Sequence, residues 1–335
     1  MENITVYVIS PAFFKTGGTE LAHQLVWLYN NKGINAKIAY VDAQSYKNPI
    51  NPAFCKYVKE WCAIEDIEDS KQNVIIFPEI YTEFVLNYKH AYNVIWWMSV
   101  DNYTENVYFS ILKKNFGLLR AIKYTLFGRL KNRKLKRQGM QKANMHLYQS
   151  EYAREFLISL NMTNSLPLSD FINDSYFQNQ IRKERQDIVL YNPKKGFRFT
   201  KNIIKRSPFL QWVPIENMST EDVAELLSKS KVYIDFGHHP GKDRFPREAV
   251  ISGCCVITGR QGSAGNDIDI PIKRKYKFED TSGNIKSIIE MIQECLTNYE
   301  EVKADFSEYR EKIMAEKDIF EKEAMELFNK IKQDI

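Results

Sequence analysis

No stretch of the 335-residue chain strings together the roughly 20 apolar residues that a membrane-spanning helix needs, so the sequence excludes a bilayer crossing of that kind. Glycine and proline are scarce, at 14 and 11 residues, which excludes a collagen-like or low-complexity chain. Cys55, Cys62, Cys254, Cys255 and Cys295 make an odd set without framework spacing, so a reduced, cytoplasmic chain is expected rather than a disulfide scaffold. The first residues, Met1 to Val6, run into strand-like sequence and lack the basic and apolar regions of a signal peptide. Acidic residues are missing in one place. Between Glu105 and Glu151 there is no Asp or Glu, while eleven Lys and Arg stand there, more than twice the net +5 of the whole chain.

What is present is globular: 44% hydrophobic and 27% charged residues, at a length that suits two domains. In the basic stretch, apolar residues such as Leu112, Leu119, Ile122, Leu126 and Phe127 alternate with the charges at helical spacing. That pattern over 111–142 reads as a helix lying on an anionic membrane surface. A solvated helical face is the plain alternative and nucleic acid a weaker one, since no nucleic-acid module accompanies the run.

Short apolar runs alternate with helical patterns along the chain. Val6–Ile9, Ile34–Tyr40, Val74–Phe77, Val94–Met98 and His146–Gln149 read as buried parallel strands, with helices after the first and the last. This predicts a doubly wound α/β domain over 1–165. A polar stretch, 166–186, reads as a linker. The alternation restarts at Ile188–Tyr191 and continues through Phe209–Val213, a helix opened by Ser219, Val232–Phe236 and Cys255–Thr258, giving a second α/β domain over 187–311. Residues 312–335 are charged, periodic and helical.

Three constellations carry possible chemistry. Lys15-Thr16-Gly17-Gly18-Thr19-Glu20 sits between a strand and a helix, where glycines and free N–H groups admit an anion; a purely structural turn is the rival reading. Asn192-Pro193-Lys194-Lys195-Gly196 leaves a strand in the second domain and places two lysines where a diphosphate would be neutralised. The richest runs from Asp235 through His238, His239, Pro240, Asp243 and Arg244 to Glu248, and is followed by the glycine loop Gly259–Asp267. Two adjacent histidines point apart, so a shared metal is not expected, although one imidazole can bond a substrate. Asp267 and Asp269 resemble a metal-binding pair but form an incomplete ligand set. Asp101, after Trp96-Trp97, is a candidate for ligand contact; His23 reads as a satisfied helix histidine, and Cys254 and Cys255 as small hydrophobes.

At these residues the chain resembles the GT-B glycosyltransferases, and within them the retaining family 4 type. The likeness spans nearly the whole chain. Glu248 opening a helix, Ser252-Gly253, the apolar Cys254–Ile257 and the loop Gly262–Gly265 follow the family's order. The resemblance implies two Rossmann-like domains facing a cleft, with C-terminal helices from about 312 packing back on the first domain. It implies a cytoplasmic enzyme, peripheral at the inner membrane face, that moves a sugar from a nucleotide diphosphate sugar to a saccharide or lipid-linked acceptor in cell-surface glycan synthesis, with retention. By resemblance Glu248 binds the ribose, and Lys194 or Lys195 with Arg244 or Arg260 holds the diphosphate. Gly17, Gly18, Gly262, Ser263 and Ala264 are expected to face the donor, Asp243, Glu248 and His239 are the candidate catalytic residues, and Asp101 is the candidate on the acceptor side. No metal or other cofactor is implied, and no nucleic acid. Where the family pattern has an acid eight positions before the helix Glu, this chain has Pro240. That departure supports a second reading, a non-catalytic nucleotide-sugar or glycan-binding protein on the same fold.

Overall fold

Seven short runs rich in Val, Ile and aromatic residues pair in parallel: β1 (Thr5–Pro11), β2 (Ala36–Val41), β3 (Trp61–Ala63), β4 (Asn73–Pro78), β5 (Tyr92–Trp97), β6 (Met145–Tyr148) and β7 (Ser165–Pro167). Their order is β3-β2-β1-β4-β5-β6-β7. Such a sheet is covered on both faces, which is why β4 and β5 are apolar almost throughout and wholly buried. The helices between them are α1 (Gly17–Asn31), α2 (Val100–Val107), α3 (Phe109–Phe116), α4 (Leu118–Leu126), α5 (Arg133–Lys142) and α6 (Glu151–Ser159). α1 begins where it does because Thr16 and Thr19 bond each other's backbone N–H reciprocally, a capping box. The computed structural model describes residues 4–178 and 184–335.

The chain divides into two units, Met1–Ser169 with Phe320–Ile335, and Asp170–Ile319. In the second unit, after α7 (Ser175–Gln178), come β8 (Gln186–Tyr191), α8 (Phe197–Arg206), β9 (Gln211–Pro214), α9 (Thr220–Lys229) and β10 (Ser230–Asp235). The two-residue β11 (His238–His239), α10 (Arg244–Ile251), β12 (Cys255–Thr258) and the short β13 (Gln261–Gly262) follow. The unit closes with α11 (Ile285–Thr297), α12 (Tyr299–Lys303) and α13 (Ser307–Met314); α14 (Glu316–Asp334) runs on into the first unit. The strand order is β12-β10-β8-β9, all parallel, and β11 pairs β13.

Three features differ from the sequence-based expectation. β3 and β7 are three-residue edge strands, too short to show a period. The basic stretch is three helices rather than one, broken at Gly117 and again between α4 and α5. The stretch 166–186 holds the end of β7 and the buried side chains of Leu168, Ile172 and Tyr176; residues 179–183 of it lie outside the described residues. Trp96 and Trp97 are core: their indole N–H groups donate to Leu168 O (2.9 Å) and His146 Nδ1 (3.1 Å).

Candidate functional site

In the second unit the chain leaves β8, pairs β9 on one side, then crosses to place β10 on the other. The strand order therefore reverses between β8 and β10, and the crevice beyond the carboxyl ends of those strands is where open α/β sheets bind ligands. The loops there come unusually close. A Cβ on Gly196, whose φ is +59°, would lie 1.9 Å from Phe236 O. One on Gly262, at φ +64°, would lie 2.0 Å from His239 O. Only glycine permits both approaches, and together they press the connections after β8, β10 and β12 against one another.

Four side chains meet at this point. Lys195 Nζ lies 3.1 Å from Asp235 Oδ1 and 3.0 Å from His239 Nδ1, and it donates to Asp243 Oδ2. His239 Nδ1 is 2.5 Å from the same Asp243 oxygen. Tyr233 donates its hydroxyl to Asp235 Oδ2 at 3.0 Å. Burial works against the Lys195 ammonium, but Asp235 and Asp243 outweigh it and raise its pKa, so Lys195 stays charged. Burial would likewise raise the Asp243 carboxyl; Lys195 and His239 overcome it and hold the group well below the usual carboxylate range. Asp243 ends the loop at the N-cap position of α10, yet spends its carboxylate on this cluster rather than on capping. Its side chain is 26% exposed, whereas His239 is fully buried. His239 thus touches Asp243 from a position closed to solvent. Asp235, His239 and Asp243 are also the one trio among the described residues whose donor atoms cluster as metal ligands do. The Lys195 ammonium already supplies the cation they surround.

The other expected residues sort as follows. Lys194 is exposed and stands apart from this cluster. Glu248 lies buried on α10, and Arg244, on its first turn, is 3.9 Å from Asp170. Gly262 pairs with His239; Ser263 is buried and donates to Gly241 O at 2.6 Å; Ala264 is core. Arg260 is a surface residue 3.8 Å from Glu279. Asp267 bonds Lys277 (3.1 Å) while Asp269 accepts from Asn266 (2.7 Å), so the pair does not converge on one ion. Gly17, Gly18 and Asp101 belong to the first unit, the glycines at the start of α1 and Asp101 in the first turn of α2. His23 is buried between Thr19 O (2.6 Å) and the Tyr40 hydroxyl (2.7 Å), and burial lowers its pKa to about 4.

Sequence reasoning missed two groups. Arg247, fully buried, reaches Asp170 (2.7 Å) and Glu316 (2.8 Å), with Lys242 3.0 Å from Glu316. Its partners are 77 and 69 residues away, beyond any local signal. Glu79, just past β4, accepts from Met98 N (3.2 Å) and Asn102 (3.1 Å), and burial pushes its carboxyl up to about 7. Its only mark in the sequence was its place at a strand's carboxyl end.

No family model and no curated protein matches the chain by sequence. By structure it is similar to the sucrose-phosphate synthase of Thermosynechococcus elongatus, with a TM-score of 0.69, 11% identity, and 99% of this chain and 100% of that one covered. It is similar also to Anabaena HepE solved with UDP-glucose (TM-score 0.61, 10% identity, 98% and 100% covered). A glycosyltransferase from Rickettsia africae aligns over all of both chains with a TM-score of 0.60 and 12% identity. These likenesses show that the chain has the GT-B fold.

Proposed function

We propose that the chain is a glycosyltransferase that moves a sugar from a nucleoside diphosphate sugar to a saccharide or lipid-linked acceptor, in cell-surface glycan synthesis at the inner face of the membrane. The observation that carries this reading is Lys195, kept protonated by two carboxylates at the switch point of the second unit's sheet. HepE, similar in fold, was solved with UDP-glucose, which supports the same class of donor here.

Departure of a nucleoside diphosphate builds negative charge on the leaving oxygen, and prearranged cations and N–H groups lower that barrier. Lys195 supplies a fixed positive charge. Arg244 and the backbone of Gly262, Ser263 and Ala264 add to it, and Glu248 takes the ribose hydroxyls. Asp243, with a quarter of its side chain exposed and oriented by His239, accepts from sugar hydroxyls. The Lys195 ammonium lies against the acidic trio, and the proposal assigns it the charge-stabilising role without a metal. Retention at the anomeric carbon belongs to the same proposal.

The test is release of nucleoside diphosphate from a panel of UDP-, GDP-, dTDP- and ADP-sugars with membrane extract as acceptor, with the product's anomeric configuration read by NMR. Turnover lost in Glu248→Ala and Lys195→Met, with the fold intact, supports the reading. Binding of a donor without any turnover supports instead the non-catalytic reading that Pro240, in place of an acid, favours.

A further inference from the structure

The basic stretch does not act as a uniform charged surface. Two of its eleven cations are spent inside the first unit. Arg129 bonds Glu105 (2.6 Å) and covers the rings of Phe116 and Tyr124; Lys136 is buried against Glu83 (2.6 Å). The others stand exposed.

α4 is amphipathic in the wrong sense for a soluble protein. Ala121 faces inward, fully buried beside Leu112 and Leu130. At about 100° per residue, Leu119, Ile122 and Leu126 fall within about 60° of one another on the opposite side. Leu119 is 84% exposed, Leu126 81% and Phe127 81%. Arg120 and Lys123 flank that ridge, with Lys113 and Lys114 on the preceding helix, α3. Large apolar side chains held this far into water mark a surface that something covers.

We infer that α4 is a membrane wedge: Leu119, Ile122, Leu126 and Phe127 enter the headgroup–acyl boundary of an anionic bilayer, and the surrounding Lys and Arg bind its lipid phosphates. The occupant follows from charge. A second copy would bring two predominantly basic surfaces together, which like-charge repulsion opposes, whereas an anionic leaflet satisfies both the apolar ridge and its cationic border. Nucleic acid would use the charges but leave the ridge in water. The inference sharpens the membrane-face part of the proposed function and is independent of the transfer reaction.

The test is flotation of the full chain with vesicles of phosphatidylcholine alone or with about one quarter phosphatidylglycerol, at low and high salt. Binding to the anionic vesicles is expected, with a fraction that survives high salt because the ridge is buried. Leu119→Ser with Leu126→Ser and Phe127→Ser should weaken it on the order of tenfold or more while thermal melting is unchanged. Lys113→Gln with Lys114→Gln, Arg120→Gln and Lys123→Gln should remove the preference for anionic lipid. The wedge is overturned by absence of vesicle binding. It is overturned equally by binding that high salt abolishes entirely, or by a concentration-dependent dimer that the serine substitutions dissolve without any effect on vesicles. Donor turnover, measured separately without vesicles, is not affected by any of these outcomes.

Discussion

Two ionic clusters grow from one connection, Asp235 to Glu248, and they do opposite things. Arg247 turns inward: its guanidinium is fully buried and its charge is met by Asp170 and Glu316, one at the start of the second unit and one near its end. Lys195, Asp243 and His239 meet at the carboxyl ends of β8 and β10, and Asp243 keeps a quarter of its side chain in solvent. In the first cluster the guanidinium itself is sealed away from any ligand. The second is held charged and is open at one edge. Composition does not separate the two; what separates them is whether the partners come from distant segments that seal the group or from neighbouring loops that leave it reachable.

The largest effect expected is on stability. Arg247→Met leaves two buried carboxylates with only Lys242 and, at 3.9 Å, Arg244 nearby and should destabilise the second unit by about 3–5 kcal/mol in chemical denaturation. Lys195→Met should cost less than half as much, because its cluster is partly hydrated. The reverse order would erase the distinction between a structural and a functional cluster. Next comes donor affinity: Lys195→Met should weaken nucleoside diphosphate binding roughly 10- to 100-fold, the worth of one charge-assisted contact.

The pH dependence sharpens the comparison with a third buried acid. Burial disfavours the ionised Asp170, but Arg247 and Lys242 outweigh it and lower its pKa, so its contribution to stability is present above the unfolded carboxylate value and fades as pH falls through the folded one. Glu79, bonded to N–H donors without a cation, has its pKa raised from 4.5 to about 7. Its contribution is full below about pH 4.5 and is lost as pH rises through about 7. A ¹³C carboxyl titration should show Glu79 changing near neutral pH, and Glu79→Gln should flatten that limb of the stability curve. The smallest effect is expected at Lys194, whose replacement by Met should change affinity by less than about twofold, as is usual for an exposed lysine.

Much of the architecture was legible because buried parallel strands are written as local apolar runs, and Thr16 and Ser219 announce their helices through capping partners three residues on. β3 and β7 were not legible, since three residues carry no period. In the site, Asp243 and Lys195 stood out by residue type, but the choice of Lys195 over Lys194 depends on the close approach at Gly196, a tertiary fact. Arg247 and Glu316 were invisible as a pair for the same reason: 69 residues separate them. The basic stretch was visible as charge, while the outward apolar ridge of α4 emerged only once Ala121 was seen to face the core.

The most direct measurement is calorimetric titration of UDP, GDP, dTDP, ADP and CMP into the wild-type chain, Lys195→Met and Glu248→Ala. One nucleoside diphosphate should bind selectively and lose affinity in both variants. Binding unchanged by Lys195→Met, or no binding of any nucleotide, would contradict the assignment of the Lys195–Asp243–His239 cluster as the donor site.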